Sequence, residues 1–124
     1  MNFRKLSIAA AIVAVCGPAA LAGTAGASGG AATTVTIQAQ QGGFFGYVKS
    51  HNQQCEAGRK VALFKETGSV QKPSQDIKIG SDIAQPNGPH SMWSINTNKS
   101  GRFYAHVRAT PGCQAAFSKT VHSQ

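Results

Sequence analysis

Residues 102–109 read RFYAHVRA, and the alternation of their side chains decides the class of fold. In an extended chain, one face carries Phe103, Ala105 and Val107, and the other carries Tyr104, His106 and Arg108. A period of two with aromatic and β-branched residues is typical of a half-buried antiparallel strand. The stretch therefore predicts a β-strand with one apolar and one polar face.

Six further segments show the same alternation or the same residue types. They are residues 33–38, 44–50, 60–66, 76–80, 91–96 and 113–121. Turn signals rich in Gly, Pro, Asn and Ser separate the segments, and no segment has a convincing helical period. A single sheet would leave one apolar face in water. The sequence therefore predicts an all-β fold, a seven-stranded antiparallel β-sandwich.

The first 27 residues have the features of an export signal. Arg4 and Lys5 precede an apolar run at 6–15, which is shorter than the roughly 20 residues that a membrane-spanning helix needs. Small residues follow, and we expect cleavage after Ala22 or Ala27. The sequence thus predicts a signal peptide at 1–27, a secreted single domain at 28–124 with a flexible start at 28–32, and no transmembrane segment after processing. The alanine-rich run suggests a bacterial source.

Two cysteines remain after the predicted cleavage, because Cys16 falls within the signal. In an oxidising compartment, Cys55 and Cys113 are expected to form a disulfide. Nothing near them resembles a C-x-x-C redox site, which disfavours free reactive thiols. A domain of this size buries a modest core, so the covalent link matters for its stability.

The chain is basic, and its basic residues are scattered. Twelve Lys and Arg, less Arg4 and Lys5 of the signal, leave ten against four Asp and Glu, a charge of about +6. Such an excess favours an anionic cell-surface or extracellular polymer as the partner, or another secreted protein. No run of like charges occurs, so nucleic acid is not predicted as a partner.

A series of motifs along the predicted domain is similar to one known family. The motifs are Phe44-x-Gly46-x-Val48-x-Ser50, Cys55, Arg59-Lys60-Val61-Ala62-Leu63, Ile79-Gly80-Ser81-Asp82, Trp93-x-Ile95, Gly101-Arg102-Phe103-Tyr104-Ala105-x-Val107, Cys113 and Ser118. With them the chain resembles bacterial secreted transthyretin-like or carboxypeptidase-regulatory-like domains. The resemblance implies a transthyretin-like or Ig-like Greek-key sandwich with an accessory or binding role.

The sequence offers little for catalysis. Transthyretin-like hydroxyisourate hydrolases end in a motif resembling Tyr-Arg-Gly-Ser, whereas residues 120–124 read TVHSQ. A triad of Ser50, His51 and Asp82 lacks a nucleophile-elbow motif. We therefore predict that the chain is not an enzyme and has no catalytic residues.

The four histidines raise the possibility of a metal site. His51, His90, His106 and His122 have no H-x-H or H-x-x-x-H spacing, so we predict neither a metal site nor a cofactor. The alternative hypothesis is a small secreted hydrolase or metal protein that uses loop histidines.

The better functional candidate is an aromatic and cationic surface. Its residues would come from the outward faces of two strands: Phe45, Tyr47 and Lys49 from one, and Tyr104, His106 and Arg108 from the other. If both strands lie in one sheet, this patch would stack on sugars or hold anionic groups. The sequence thus predicts a non-catalytic secreted binding or interaction module for anionic or glycan surfaces, with these residues as ligand-binding candidates.

Overall fold

The computed structural model describes residues 30–123. The predicted signal peptide at 1–27, the start of the predicted flexible segment at 28–29, and Gln124 lie outside the described residues. Within 30–123 the regular structure is β-strand apart from one short 3-10 turn at Gln53–Cys55. The prediction of an all-β fold is confirmed.

Residues 30–123 form ten strands. They are β1 (Thr33–Val35), β2 (Gln38–Gln40), β3 (Gly43–Ser50), β4 (Lys60–Lys65), β5 (Ile77–Ile83), β6 (Gln85–Asn87), β7 (His90–Asn96), β8 (Gly101–Val107), β9 (Ala116–Phe117) and β10 (Val121–Ser123). The predicted count of seven is wrong. The first and last predicted strands are each broken in two, and β6 occupies part of a stretch that the turn signals assigned to a loop.

The strands form two five-stranded antiparallel sheets. In the first sheet, β3 pairs with β7 on one side and with both β1 and β2 on the other, and β7 also pairs with β6. In the second sheet, β8 pairs with β4 on one side and with both β9 and β10 on the other, and β4 also pairs with β5. The predicted antiparallel pairing is confirmed.

One hydrophobic core contains buried side chains from both sheets. Phe44, Val48 and Trp93 enter it from the first sheet, and Leu63 and Phe103 enter it from the second. All five side chains are almost fully buried, and the Phe44 and Phe103 ring centroids lie 4.6 Å apart. Burial of each such side chain stabilises the fold by roughly 1.5–3 kcal/mol. These residues are the apolar halves of the alternating segments, so the alternation fixes which faces meet.

The break between β1 and β2 is caused by contacts with two other strands. A Cβ atom built on Gly46 would lie 1.9 Å from the carbonyl oxygen of Thr36, so the two backbones touch at a point that only glycine allows. The Thr36 carbonyl accepts a hydrogen bond from Nε1 of Trp93 at 3.1 Å, which turns it out of the strand ladder. A buried Trp side chain therefore interrupts the edge strand that the sequence predicts as continuous.

The predicted disulfide is confirmed. Cys55 and Cys113 are joined across 58 positions of sequence, and both are buried. Beside them lies the buried guanidinium of Arg59, which donates to the carbonyl oxygens of Cys55 at 3.0 Å, Arg108 at 2.8 Å and Gln114 at 3.0 Å. Burial lowers the pKa of Arg59. The disulfide and this side chain together hold the loop after β3 against the end of β8.

No helix within residues 30–123 is both long enough and apolar enough to cross a membrane.

Candidate binding groove

The structure does not join the six predicted ligand-binding residues into one patch. Phe45, Tyr47 and Lys49 lie on β3 in the first sheet, whereas Tyr104, His106 and Arg108 lie on or just after β8 in the second sheet. The condition that both strands share a sheet is therefore wrong. Alternation along a strand shows which residues share a face, but it does not show to which sheet the strand belongs.

A groove of about 810 Å³ crosses the outer face of the second sheet. Its lining comes from β4, β5, the end of β8 and residues 73–76. Strand register explains how the sequence builds it: Phe64 on β4 lies opposite Tyr104 on β8 and Lys78 on β5, and Ala62 lies opposite His106. Of the six predicted residues, His106 and Arg108 line this groove.

Four rings pack together on this outer face. The ring centroids lie 5.5 Å apart for Phe64 and Tyr104, 6.1 Å for Tyr104 and Phe117, 4.2 Å for Phe117 and His106, and 6.4 Å for His106 and Phe64. The Phe117 side chain remains 48% exposed, whereas Tyr104 is fully buried. The rings thus form a firm apolar base, with Phe64 and His106 facing the groove and Phe117 beside them.

The burial of Tyr104 corrects its predicted outward exposure. Residues 67–76, which we call the strap, lie between β4 and β5 in the chain and end at Asp76, which contacts the Tyr104 hydroxyl. The Tyr104 hydroxyl donates to the Asp76 carboxylate at 2.6 Å, and the backbone amides of Lys72 and Thr67 donate to the same carboxylate at 2.7 and 3.0 Å. Nε2 of Gln71, also in the strap, donates a hydrogen bond to the carbonyl oxygen of Ser118 at 2.9 Å. Tyr104 therefore positions the strap.

The Asp76–Tyr104 contact perturbs both groups. Burial, followed by the hydrogen bond to Asp76 and its negative charge, raises the pKa of Tyr104 well above its ordinary value. Burial opposes ionisation of Asp76, but the hydrogen bonds from Tyr104, Lys72 and Thr67 outweigh it and lower the pKa of Asp76. Asp76 is thus ionised at neutral pH, and its charge is engaged by the strap and Tyr104.

The groove is electropositive. Three cations line it, Lys60, Lys78 and Arg108, and Asp76 is the sole acid among the described residues that do so. Burial and the nearby charge of Arg108 lower the pKa of His106, so its imidazole is neutral at pH 7. Cationic side chains beside apolar rings suit a ligand that combines negative charge with an apolar surface.

The first sheet carries a smaller pocket of about 230 Å³. Tyr47 and Lys49 line it together with residues 87–90 of the β6–β7 hairpin, and Phe45 is half-buried on the same outer face. The Nδ1 atom of His90 lies 2.9 Å from the buried carboxylate of Glu56, which also accepts from the Ser50 amide at 2.8 Å. Burial opposes ionisation of Glu56, but these contacts outweigh it and lower its pKa.

The histidines lie apart from one another. His51 is exposed in a loop, His90 pairs with Glu56, His106 stacks on Phe117, and His122 lies on β10. Within residues 30–123, no group of three His, Cys, Asp or Glu side chains converges as a metal site. The alternative hypothesis of a hydrolase or metal protein that uses loop histidines stays a prediction.

Among the groove residues that sequence reasoning missed are Lys60, Phe64 and Lys78. Lys60, Ala62 and Phe64 alternate on one face of β4, so the signal for a shared outward face was present. The sequence carried no signal for the register that places this face beside His106, because that register depends on pairing between distant segments.

No protein-family model matches the chain, and no curated protein matches it either. Among solved structures, the chain is similar to a superoxide reductase crystallised in its oxidised state. The TM-score is 0.38 with 10% identity, over 82% of this chain and 94% of that one. A likeness of this size carries no argument about fold or activity.

The prediction that the chain is not an enzyme is corrected here. A solved structure to which it is slightly similar is an enzyme, and the exclusion of catalysis is withdrawn. The same slight likeness assigns no activity in its place.

Proposed function

We propose that this chain is a secreted binding module that holds an anionic glycan in the groove of the second sheet. The observation that carries the proposal is the lining of that groove: Lys60, Lys78 and Arg108 surround an apolar base, and the one acid among the described lining residues is bound by the strap. A ligand with carboxylate or sulfate groups finds cations there and little repulsion.

The apolar base favours a glycan over a simple ion. Phe64 lines the groove with only 8% of its surface exposed, and His106 stacks on the half-exposed ring of Phe117. Flat rings offer the apolar faces of a sugar a contact area that small anions do not use. The volume of about 810 Å³ accommodates several sugar units rather than one ion.

Location and fold family belong to the same proposal. The predicted signal peptide supports secretion, and the Cys55–Cys113 disulfide is compatible with an oxidising compartment. The shared core of the two sheets supports a sandwich, and the sequence motifs suggest the transthyretin-like type. A binding module for extracellular polymers fits both.

The test uses galacturonate tetrasaccharide and its methyl ester, which keeps the sugar rings and removes the charge. We expect calorimetric titration to show binding of the acid form, with an affinity for the ester at least tenfold weaker. The affinity for the acid form should fall as the salt concentration rises. Lys78→Gln and Arg108→Gln are expected to weaken binding about three- to tenfold each, as for charge-assisted contacts.

The matched control is Lys99→Gln, which removes an exposed lysine outside the groove. Its affinity should equal that of the wild type. Equal affinity for acid and ester, or equal losses in Lys78→Gln and Lys99→Gln, would contradict a glycan site in this groove. If the chain bound a secreted protein and did not bind the acid tetrasaccharide, a protein-binding function would replace the proposed glycan-binding function.

A further inference from the structure

We propose that the pocket on the first sheet is a second site for the same class of ligand, so that one chain bridges two glycan strands. The inference rests on the proposed function of the groove. It concerns Tyr47, Lys49 and His90, which line that pocket together.

The pocket combines the three kinds of group that recognise an acidic sugar. Lys49 is exposed and donates charge-assisted hydrogen bonds, and Tyr47 offers a half-buried ring with a polar tip. His90 supplies an imidazole whose orientation is fixed, since its Nδ1 lies 2.9 Å from the Glu56 carboxylate. Ring, cation and oriented imidazole thus meet at one place.

The contact with Glu56 also decides which ring nitrogen of His90 carries the hydrogen. An ionised carboxylate only accepts, so Nδ1 is the donor and Nε2 is the second hydrogen-bonding atom of the ring. A sugar hydroxyl can form a hydrogen bond with Nε2, because a hydroxyl both donates and accepts, while Lys49 matches the sugar carboxylate. Glu56 is itself fixed by the Ser50 amide at 2.8 Å, and it acts here as a positioning residue.

The hairpin that carries His90 is suited to hold this geometry. Gly88 has φ of 66°, a left-handed conformation that glycine adopts at little cost, and it allows the tight turn between β6 and β7. Asn87 pairs directly with His90 across that turn. The rim of the pocket is therefore set by backbone pairing on one side and by Glu56 on the other.

The two sites open on opposite sides of the molecule. The inner faces of both sheets share one core, so their outer faces, which bear the pocket and the groove, point away from each other. A short oligosaccharide in one site leaves the other accessible. When each site holds a different long polymer, the chain cross-links the two strands, and multivalency of this kind raises avidity without new contacts.

The test measures stoichiometry and cross-linking separately. Calorimetry with galacturonate tetrasaccharide is expected to give two sites per chain for the wild type and one for Lys49→Gln. Light scattering with long polygalacturonate should rise to a maximum at an intermediate protein-to-polymer ratio, and the rise should fall at least fivefold in Lys49→Gln and in Lys78→Gln.

Lys99→Gln serves as the matched control and should behave as the wild type in both measurements. His90→Gln, which keeps a polar side chain but not the fixed ring, should weaken the second site at least threefold and leave the groove unchanged. A wild-type stoichiometry of one, with an affinity that Lys78→Gln weakens and Lys49→Gln leaves unchanged, would overturn the second site while the groove stands. Absence of all binding would overturn both.

Discussion

The outer faces of the two sheets carry similar residue types, but their sites are bordered in different ways. The groove is bordered by the strap, which Asp76 fastens to Tyr104 by a hydrogen bond. The pocket is bordered by the β6–β7 hairpin, which His90 fastens to Glu56. Both borders thus depend on an ionised carboxylate, which is buried in Glu56 and partly buried in Asp76. The difference is that Glu56 directly follows Cys55, so the pocket side has a covalent anchor and the strap has none.

The comparison teaches that two acids, one buried and one partly buried, shape both sites while their charges are engaged by hydrogen bonds. Four acids occur in the whole sequence, and two of them hold a loop at the border of a candidate site. Removing a partner from such a group is costly, because the desolvated charge loses what compensates it. The surface left to solvent is then mainly cationic, which suits an anionic partner.

The largest expected effect comes from opening the disulfide. In the chain-entropy model, a loop of 58 positions contributes about 4 kcal/mol, so reduction should lower the melting temperature by roughly 15–30 °C. Hydrogen exchange should accelerate more at the amides of Ser50 and His90, on the anchored side, than at Thr67 and Lys72. An unchanged melting temperature under reductant would contradict the anchor. Equal acceleration of exchange at these two pairs of amides would show that the disulfide does not anchor the border of the pocket more than the strap.

The sequence predicted the layers of the fold better than their pairing. Alternation placed Phe103 in the core and His106 on the outside correctly, because these follow from a period of two within one segment. It did not foresee the break at Thr36, which depends on Gly46 and Trp93 from other strands. Local patterns thus determine faces, and distant contacts determine where strands end.

Sequence patterns predicted only part of the candidate site. His106 and Arg108 were predicted on one outward face, and the groove contains both. Tyr104 was misjudged because a polar tip on an outward position predicts exposure, whereas the strap supplies Asp76 as its partner. Lys78 was missed because β5 joins this surface only through its register with Phe64. Loops that fold over a face leave no periodic signal.

A smaller effect is expected from Tyr104→Phe, which tests the border that lacks a covalent anchor. The change removes the hydroxyl that donates to Asp76 at 2.6 Å and should cost about 1–3 kcal/mol in the free energy of unfolding. We expect faster exchange at Thr67 and Lys72 and weaker binding of the tetrasaccharide in the groove. Denaturant titration and calorimetry measure these effects.

Tyr47→Phe is the matched control for this change, because Tyr47 lies on the opposite face and outside the strap. Its free energy of unfolding should change by less than about 0.5 kcal/mol, as for surface substitutions. If both variants lost the same stability, the Asp76–Tyr104 contact would not be what holds the strap.

The smallest effect is the pH dependence, and it follows from the direction of three pKa shifts. The pKa values of Glu56 and Asp76 are lowered in the folded chain, so their stabilising contributions are complete above the ordinary carboxyl range, about 4. These contributions are lost as the pH falls through the folded values. The pKa of His106 is also lowered, so its protonation costs stability below about 6.5, its ordinary value.

Thermal unfolding between pH 7 and pH 2 measures this dependence. Stability should fall slightly below pH 6.5 and more steeply below pH 4, in the ordinary ranges of the imidazole and of the carboxyls. Glu56→Gln and Asp76→Asn should each be less stable at pH 7, and the stability of each should fall less steeply below pH 4. If the stability of both variants fell below pH 4 as steeply as that of the wild type, neither carboxylate would hold the loop at the border of its site.

The central claim is that the groove of the second sheet binds an anionic glycan, and its most direct test is residue-resolved. Galacturonate tetrasaccharide is titrated into the ¹⁵N-labelled protein, and the backbone amide shifts are followed to saturation. The account predicts large, saturable shifts at the amides of Lys60, Phe64, Lys78 and His106, and much smaller shifts at the same concentration of the methyl ester. Unshifted groove amides at saturating ligand would contradict it.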